Sequence, residues 1–358
     1  MRAMTIDAAP LLSAAETALA AAEHTPEPGA PAAIDTGALR DRLAASARPM
    51  LLLGDGPGWS DGACADIALF AGANALTTAV TAGGSDRLDN ENPCYAGTLG
   101  PAADPRLLAR LGLSDCLVAV GEVPAPWADH PALLPLPGAA AAVAAALVAG
   151  EPVAEVPWTG WAIAARTDYH DWSAADPWPG PVDVGAILGW LRERLPTDAL
   201  VAADGGPLAG LAQRHLLFRR PGRLIVGAEG MAGFGAAAAV AARTAQPRRM
   251  AAGVTDGAGL LAALPLLARA AAARTPALVI ALNDGPVDDG PVDLAAAATA
   301  QGAFAATVAT SPDFIQAFWD ALWSRTAALI ELRVEPGQAT TQTLWNAAQA
   351  AAMTQAEG

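Results

Sequence analysis

The sequence predicts an α/β protein made of two three-layer domains, each built on a mainly parallel sheet. The chain has 358 residues, enough for two cores of ordinary size. Hydrophobic residues make up 53% of it and charged residues 16%, which supplies ample material for buried sheets and helices. Short apolar runs that stop at glycine or aspartate alternate with helix-length stretches, and this alternation runs through the chain twice.

Residues 1–35 read as a leader. An alanine-rich helix covers 1–24, and His24-Thr25-Pro26-Glu27-Pro28-Gly29-Ala30-Pro31 interrupts any regular element with its prolines and glycine. The first domain spans 36–150. A helical pattern from Thr36 leads into the apolar run 50–53, which ends at Gly54-Asp55-Gly56-Pro57-Gly58 and reads as strand, tight turn and helix. Runs 76–80 and 116–120, the latter followed by Gly121, repeat the pattern. Residues 151–181 carry Trp158, Trp161, Trp172 and Trp178 among prolines, and read as a connector that packs aromatic rings against both neighbours, with ordinary core tryptophans as the alternative. The second domain spans 182–345. It opens with an amphipathic helix over 182–195, followed by strands at 199–202 and 224–226 and a helix from Ala236. A strand at 250–254, a helix at 260–273 and strands at 277–282 and 328–334 complete it, and 346–358 is a tail.

Composition excludes several functions. The net charge is −15 and every basic residue is arginine, which argues against a nucleic-acid partner, since such binding needs clustered positive charge. The alanine runs at 139–148 and 261–273 are too short and too weakly hydrophobic to span a bilayer, and the N-terminus lacks the pattern of a secretory signal. A cytoplasmic protein is expected. Cys64, Cys94 and Cys116 have no CxxC spacing and read as buried free thiols. The histidines, at 24, 130, 170 and 215, form no catalytic set. Gly54-Asp55-Gly56-Pro57-Gly58 lacks the GxGxxG spacing, so no FAD is expected.

Two motifs carry chemistry. Thr255-Asp256-Gly257 ends one apolar strand and Asn283-Asp284-Gly285 ends the next, with one helix between. In a right-handed βαβ unit both turns open at the C-terminal edge of the sheet, which sets Asp256 and Asn283 side by side. A carboxylate oxygen, an amide oxygen and a backbone carbonyl are hard donors suited to Mg²⁺. The second motif is the loop Gly227-Ala228-Glu229-Gly230-Met231-Ala232-Gly233-Phe234-Gly235, which runs into a helix. Its glycines allow close backbone approach, and the helix N-terminus offers N–H groups to a phosphate.

This order of glycine-rich loop, TDG and NDG resembles the diphosphate-binding domain of thiamine diphosphate-dependent enzymes. Arg87-Leu88-Asp89-Asn90-Glu91-Asn92-Pro93-Cys94-Tyr95-Ala96-Gly97 resembles a middle-domain segment of acetolactate synthase-like proteins, as do 182–196 and 327–336 for the second domain. The similarity runs from 36 to 345. It implies that the first domain is the middle domain and the second the diphosphate-binding domain of that family. It also implies that the side chains of Asp256 and Asn283 and the carbonyl of Gly285 bind Mg²⁺. Gly227, Gly230, Gly233 and Gly235 would line the cofactor, with Gly257 beside it and Asp204-Gly205 at the preceding turn. The activity implied is decarboxylation or carboligation of 2-oxo acids.

The sequence departs from that pattern in several places. Thr255 replaces the first glycine of the metal motif and Leu282 its first asparagine, while Ala232 stands where the family has a large apolar residue. The segment Pro286-Val287-Asp288-Asp289-Gly290-Pro291-Val292-Asp293 is compressed and acidic. The family's pyrimidine-binding domain, which supplies an activating glutamate, would precede the middle domain, and here 1–35 stands in its place. Two readings follow. In one, the chain is half of an enzyme that works as a homodimer or with a pyrimidine-domain subunit. In the other, it is an inactive paralogue serving as a binding or regulatory subunit.

Overall fold

The computed structural model describes residues 8–23, 33–100, 103–174, 180–285 and 292–334. The chain divides into two compact units. Helix α1 (Ala9–Glu23) belongs to the second unit in space although it comes first in sequence.

The central unit alternates α2 (Thr36–Ala44), β1 (Pro49–Leu53), α3 (Asp61–Ala73), β2 (Thr77–Val80), β3 (Tyr95–Thr98), α4 (Pro105–Leu113), β4 (Cys116–Val120), β5 (Leu133–Leu136), α5 (Ala140–Ala149) and α6 (Thr159–Ser173). Its sheet has the order β3-β2-β1-β4-β5, with every pairing parallel. The β1 sequence Pro-Met-Leu-Leu-Leu is buried at all five positions, as expected of a strand covered on both faces. Alternation divides it. Leu51 and Leu53 join Phe70, Val143 and Leu147 in one core, while Met50 and Leu52 join Leu107, Leu111 and Ala165 in the other.

Sequence reading found β1, β2 and β4 and overlooked β3 and β5, the two edge strands. The β5 residues Leu-Leu-Pro-Leu are only partly buried and include Pro135, which an edge position tolerates because one side of the strand donates to no neighbour. The expected connector is corrected too. Residues 159–173 form helix α6 inside the central unit, where Arg106 and Arg110 of α4 meet Asp168. Trp158 donates its indole N–H to the Asn74 carbonyl at 3.0 Å, and Arg110 stacks on Trp161 at 4.6 Å. These tryptophans are anchors of one core, and Trp178 lies outside the described residues.

The second unit contains α7 (Val184–Arg192), β6 (Leu200–Ala203), α8 (Pro207–His215), β7 (Leu224–Val226), α9 (Phe234–Ala245), β8 (Ala251–Asp256), α10 (Gly257–Ala272), β9 (Leu278–Asn283), α11 (Leu294–Ala300), β10 (Phe304–Val308), α12 (Asp313–Ser324) and β11 (Ala328–Arg333). All six strands are parallel, in the order β10-β11-β9-β8-β6-β7. The edge strand β10, with its poorly buried Phe-Ala-Ala-Thr-Val, is again the one the sequence left unmarked.

Helix α9 is buried at every position from Phe234 to Ala242, so it needs cover on all sides. Part of that cover is α1, whose Ala15 and Leu19 share a core with Ala237, Ala238 and Ala241. The leader is therefore half read by its sequence. Its helix exists, but it is a layer of the second unit. Residues 1–7, the linker 24–32, the acidic stretch 286–291 and the tail 335–358 lie outside the described residues. Cys64, Cys94 and Cys116 are buried free thiols as expected, with burial pushing the Cys64 pKa up to about 12. No helix among the described residues is long and apolar enough to cross a membrane.

Candidate cofactor site at the C-terminal edge of the second sheet

The central strands of the second sheet end together. Parallel register pairs Asp256 of β8 with Leu282 of β9, so Asn283 stands one step beyond, and Arg333 of β11 pairs with Asn283. The two motifs therefore do meet at one edge. Asp256 caps helix α10 by accepting the Gly259 N–H at 2.6 Å. A carboxylate keeps further acceptor capacity beyond one such bond.

Asn283 is held from below. Its amide nitrogen donates to Glu331 Oε1 at 2.5 Å and to the Val292 carbonyl at 2.9 Å. Its oxygen accepts from the Gly285 N–H at 3.2 Å and lies 3.6 Å from where a Gly257 Cβ would be. Glu331 is fully buried and also accepts from the Ala295 N–H and the Thr307 hydroxyl at 3.2 and 3.1 Å, with Arg333 at 3.5 Å. Because a carboxylate only accepts, this arrangement fixes which end of the Asn283 amide faces Glu331 and turns the oxygen toward Gly257. Sequence reading missed Glu331. A charged residue inside the apolar run Ala-Leu-Ile-Glu-Leu-Arg is the signal that could have found it.

The glycine-rich loop behaves differently from the expectation. Asp204, just after β6, is 4% exposed, and its oxygens accept from Gly233 N–H at 2.9 Å, Gly235 N–H at 2.7 Å and Thr255 Oγ1 at 2.6 Å. The amides at the start of α9, expected to face a phosphate, are thus satisfied by a protein carboxylate. Burial raises the Asp204 pKa above the ordinary carboxylate value, and the Asp256 charge adds to this, while the three hydrogen bonds oppose it. Thr255, which departs from the family's glycine, supplies one of those bonds. Leu282, the other departure, is a buried strand residue.

Gly233 adopts φ +87° as the N-cap of α9, and a Cβ there would lie 2.5 Å from the Gly259 carbonyl. Gly235 packs against the Val254 carbonyl, Gly227 against the Phe234 ring and Gly205 against the Gly227 and Ala228 carbonyls. These glycines bring α9 and the turn after β6 onto the sheet. Only Gly230 among the loop glycines projects into open space, within the exposed stretch from Ala228 to Gly230, and Ala232 is exposed as well. Among the described residues no three His, Cys, Asp or Glu side chains cluster as a metal site.

Models of two thiamine pyrophosphate enzyme domains match the chain. The central domain falls on residues 37–131 and the C-terminal TPP-binding domain on residues 204–288, which includes Asp204, the glycine-rich loop, Asp256 and Asn283 but not Glu331. The chain belongs to the thiamine pyrophosphate enzyme family. Among solved structures, the family fold is shared with a thiamine diphosphate-dependent 4-hydroxybenzoylformate decarboxylase from Rhodococcus jostii RHA1, at a TM-score of 0.61 and 20% identity. That similarity covers 87% of this chain and 66% of the decarboxylase chain, just under two thirds of its length. No curated protein matches by sequence. The two family matches begin and end inside the central and second units respectively, so each unit carries one family domain.

Proposed function

We propose that this chain holds the diphosphate of thiamine diphosphate through Mg²⁺ at the C-terminal edge of the second sheet, and serves a cytoplasmic, acetolactate synthase-like activity on 2-oxo acids. The observation that carries this reading is the clamped Asn283, whose oxygen is presented beside Gly257 at the same edge as Asp256. Two hard oxygens on adjacent strand ends, with the start of a 16-residue helix between them, suit a hydrated Mg²⁺ bridging to phosphate. Asp256 and Asn283 would give side-chain ligands and Gly285 its carbonyl. Gly257, Gly230 and the Asp204-Gly205 turn would border the cofactor, with Gly227, Gly233 and Gly235 shaping the wall behind it.

When bound, the cofactor supplies the carbanion-stabilising chemistry that decarboxylates or joins 2-oxo acids. The chain's own part is binding and orientation. Asp204 fixes the loop, Glu331 fixes the Asn283 amide, and the start of α10 would offer its positive end to the phosphates. The activating glutamate would come from a pyrimidine-binding domain, outside the matched residues 37–131 and 204–288, on a partner subunit.

The second reading, an inactive paralogue with a binding or regulatory role, is favoured by the hydrogen bonds that commit Gly233 and Gly235 to Asp204 and by the small Ala232. Titration of thiamine diphosphate by calorimetry, with and without Mg²⁺, separates the two. Mg²⁺-dependent binding that disappears in Asp256→Ala supports the cofactor site. Absence of binding at about millimolar cofactor, the upper range of ordinary ligand affinities, leaves the paralogue reading.

A further inference from the structure

The opposite, N-terminal edge of the second sheet holds a cavity of about 510 Å³, bordered by the first residues of β8, β9 and β11. Arg243, Arg248, Arg274 and Arg325 line it, and among the described residues no carboxylate does. Among the described residues none of the four has an ion-pair partner, although the protein carries a net charge of −15. Four cations without an ion-pair partner among the described residues repel one another around one hollow, and the helix ends they come from offset this only in part.

The arginines reach the hollow from three helix ends. Arg243 lies in the last turn of α9, half-buried, with its guanidinium held by the Arg249 carbonyl at 2.6 Å and the Pro276 carbonyl at 3.3 Å. Arg248 is in the exposed turn before β8. Arg274 follows α10 and Arg325 caps α12, and both adopt φ 53°, a left-handed conformation in which glycine is the unstrained choice at a helix end. Two strained positions on different helices thus carry arginine toward the same space, and strained residues of this kind gather at ligand clamps. Burial lowers the Arg243 pKa with no neighbouring acid to offset it. Met250, Leu278 and Leu322 give the cavity apolar walls beside the guanidinium groups.

We propose that this cavity binds the diphosphate group of a small molecule, through bidentate hydrogen bonds from Arg274, Arg325 and Arg248 above Arg243. Its volume falls in the range of sites for small organic ligands, and the apolar walls suit a ring attached to the diphosphate. The site stands apart from the edge that holds Asp256 and Asn283, at the other end of the same strands, and the inference does not rest on the function proposed above.

The test is calorimetric titration of the full chain with inorganic pyrophosphate and with ADP, in magnesium-free buffer. Saturable binding is expected for both, weakened roughly tenfold or more in R274Q/R325Q and weakened as salt rises, but unchanged in Asp256→Ala. Tighter binding of ADP than of pyrophosphate assigns the apolar walls to a ring, and equal binding assigns the site to the free anion. Both Arg274 and Arg325 are exposed, so the variant should unfold at the same denaturant concentration as the parent. If it does not, R248Q in the exposed turn replaces it as the probe. No heat with either ligand at about 10 mM, binding indifferent to the arginine substitutions, or binding lost in Asp256→Ala would each overturn the proposal.

Discussion

The two sheets of this protein end in turns of similar composition, and the turns are secured in opposite ways. In the central unit, Gly54-Asp55 follows β1, Thr81 follows β2 and Gly121-Glu122 follows β4. Arg87 crosses these ends, donating to the Gly54 carbonyl at 2.5 Å, Asp55 Oδ1 at 3.0 Å and Thr81 Oγ1 at 3.2 Å, and stacking on Trp59 at 4.9 Å. Asp55 and Glu122 exchange backbone hydrogen bonds at 3.0 and 2.6 Å across the same edge. In the second unit the securing groups are acids beneath the edge, Asp204 and Glu331, both buried. A cation laid over an edge consumes its oxygens. An acid placed under it consumes N–H groups and leaves oxygens outward. The position of the countercharge, more than the Gly-Asp turns themselves, separates an edge whose oxygens are engaged by a cation from one whose N–H groups are engaged by acids.

That contrast can be broken from either side. The largest effect is expected for Glu331→Ala, which leaves the buried Asn283 amide without its carboxylate acceptor and removes a partner of the half-buried Ala295 N–H and the exposed Thr307 hydroxyl. A loss of about 3–5 kcal/mol is expected, read by urea unfolding and by faster hydrogen exchange confined to the second unit. A variant as stable as the parent would show that Glu331 does not hold this edge. Next comes Arg87→Ala, which removes charged hydrogen bonds and a cation–π contact from the central unit. We expect about 2–3 kcal/mol there, with Mg²⁺-dependent cofactor titration unaltered. Loss of that titration as well would show that Arg87 does more than secure the central edge.

Gly233→Ala should cost about 1–3 kcal/mol, because a side chain is disfavoured at φ +87° and meets the Gly259 carbonyl. An unchanged unfolding midpoint would sink the claim that this glycine serves packing. The smallest effect concerns pH. Since the folded pKa of Asp204 is raised, the stability tied to its protonation is complete below the ordinary carboxylate pKa and is lost as pH rises through the raised value. Asp204→Asn should flatten that fall in unfolding free energy, measured from about pH 4 to about pH 7. A profile as steep as the parent's would assign the slope to other groups.

The sequence by itself determined the strand-turn-helix rhythm, the interior strands and the placement of Asp256 and Asn283 at one sheet edge. Uniformly apolar runs and Gly-Asp stops are local properties, and the right-handed crossover converts their order into adjacency. It did not mark the edge strands β5 and β10, where partial burial erases the pattern, nor β3, which is buried but only four residues long and interrupted by Gly97. It gave 151–181 to a connector because tryptophan and proline say that a segment packs, but not against which surface. Only the tertiary structure decided that Asp204 takes the amides of Gly233 and Gly235, and that Glu331 orients Asn283. It alone laid α1 on α9 and brought four arginines, three at helix ends and one in a turn, to one cavity. Each of these joins residues far apart in the chain through side-chain direction and burial, and a linear pattern of residue types carries neither.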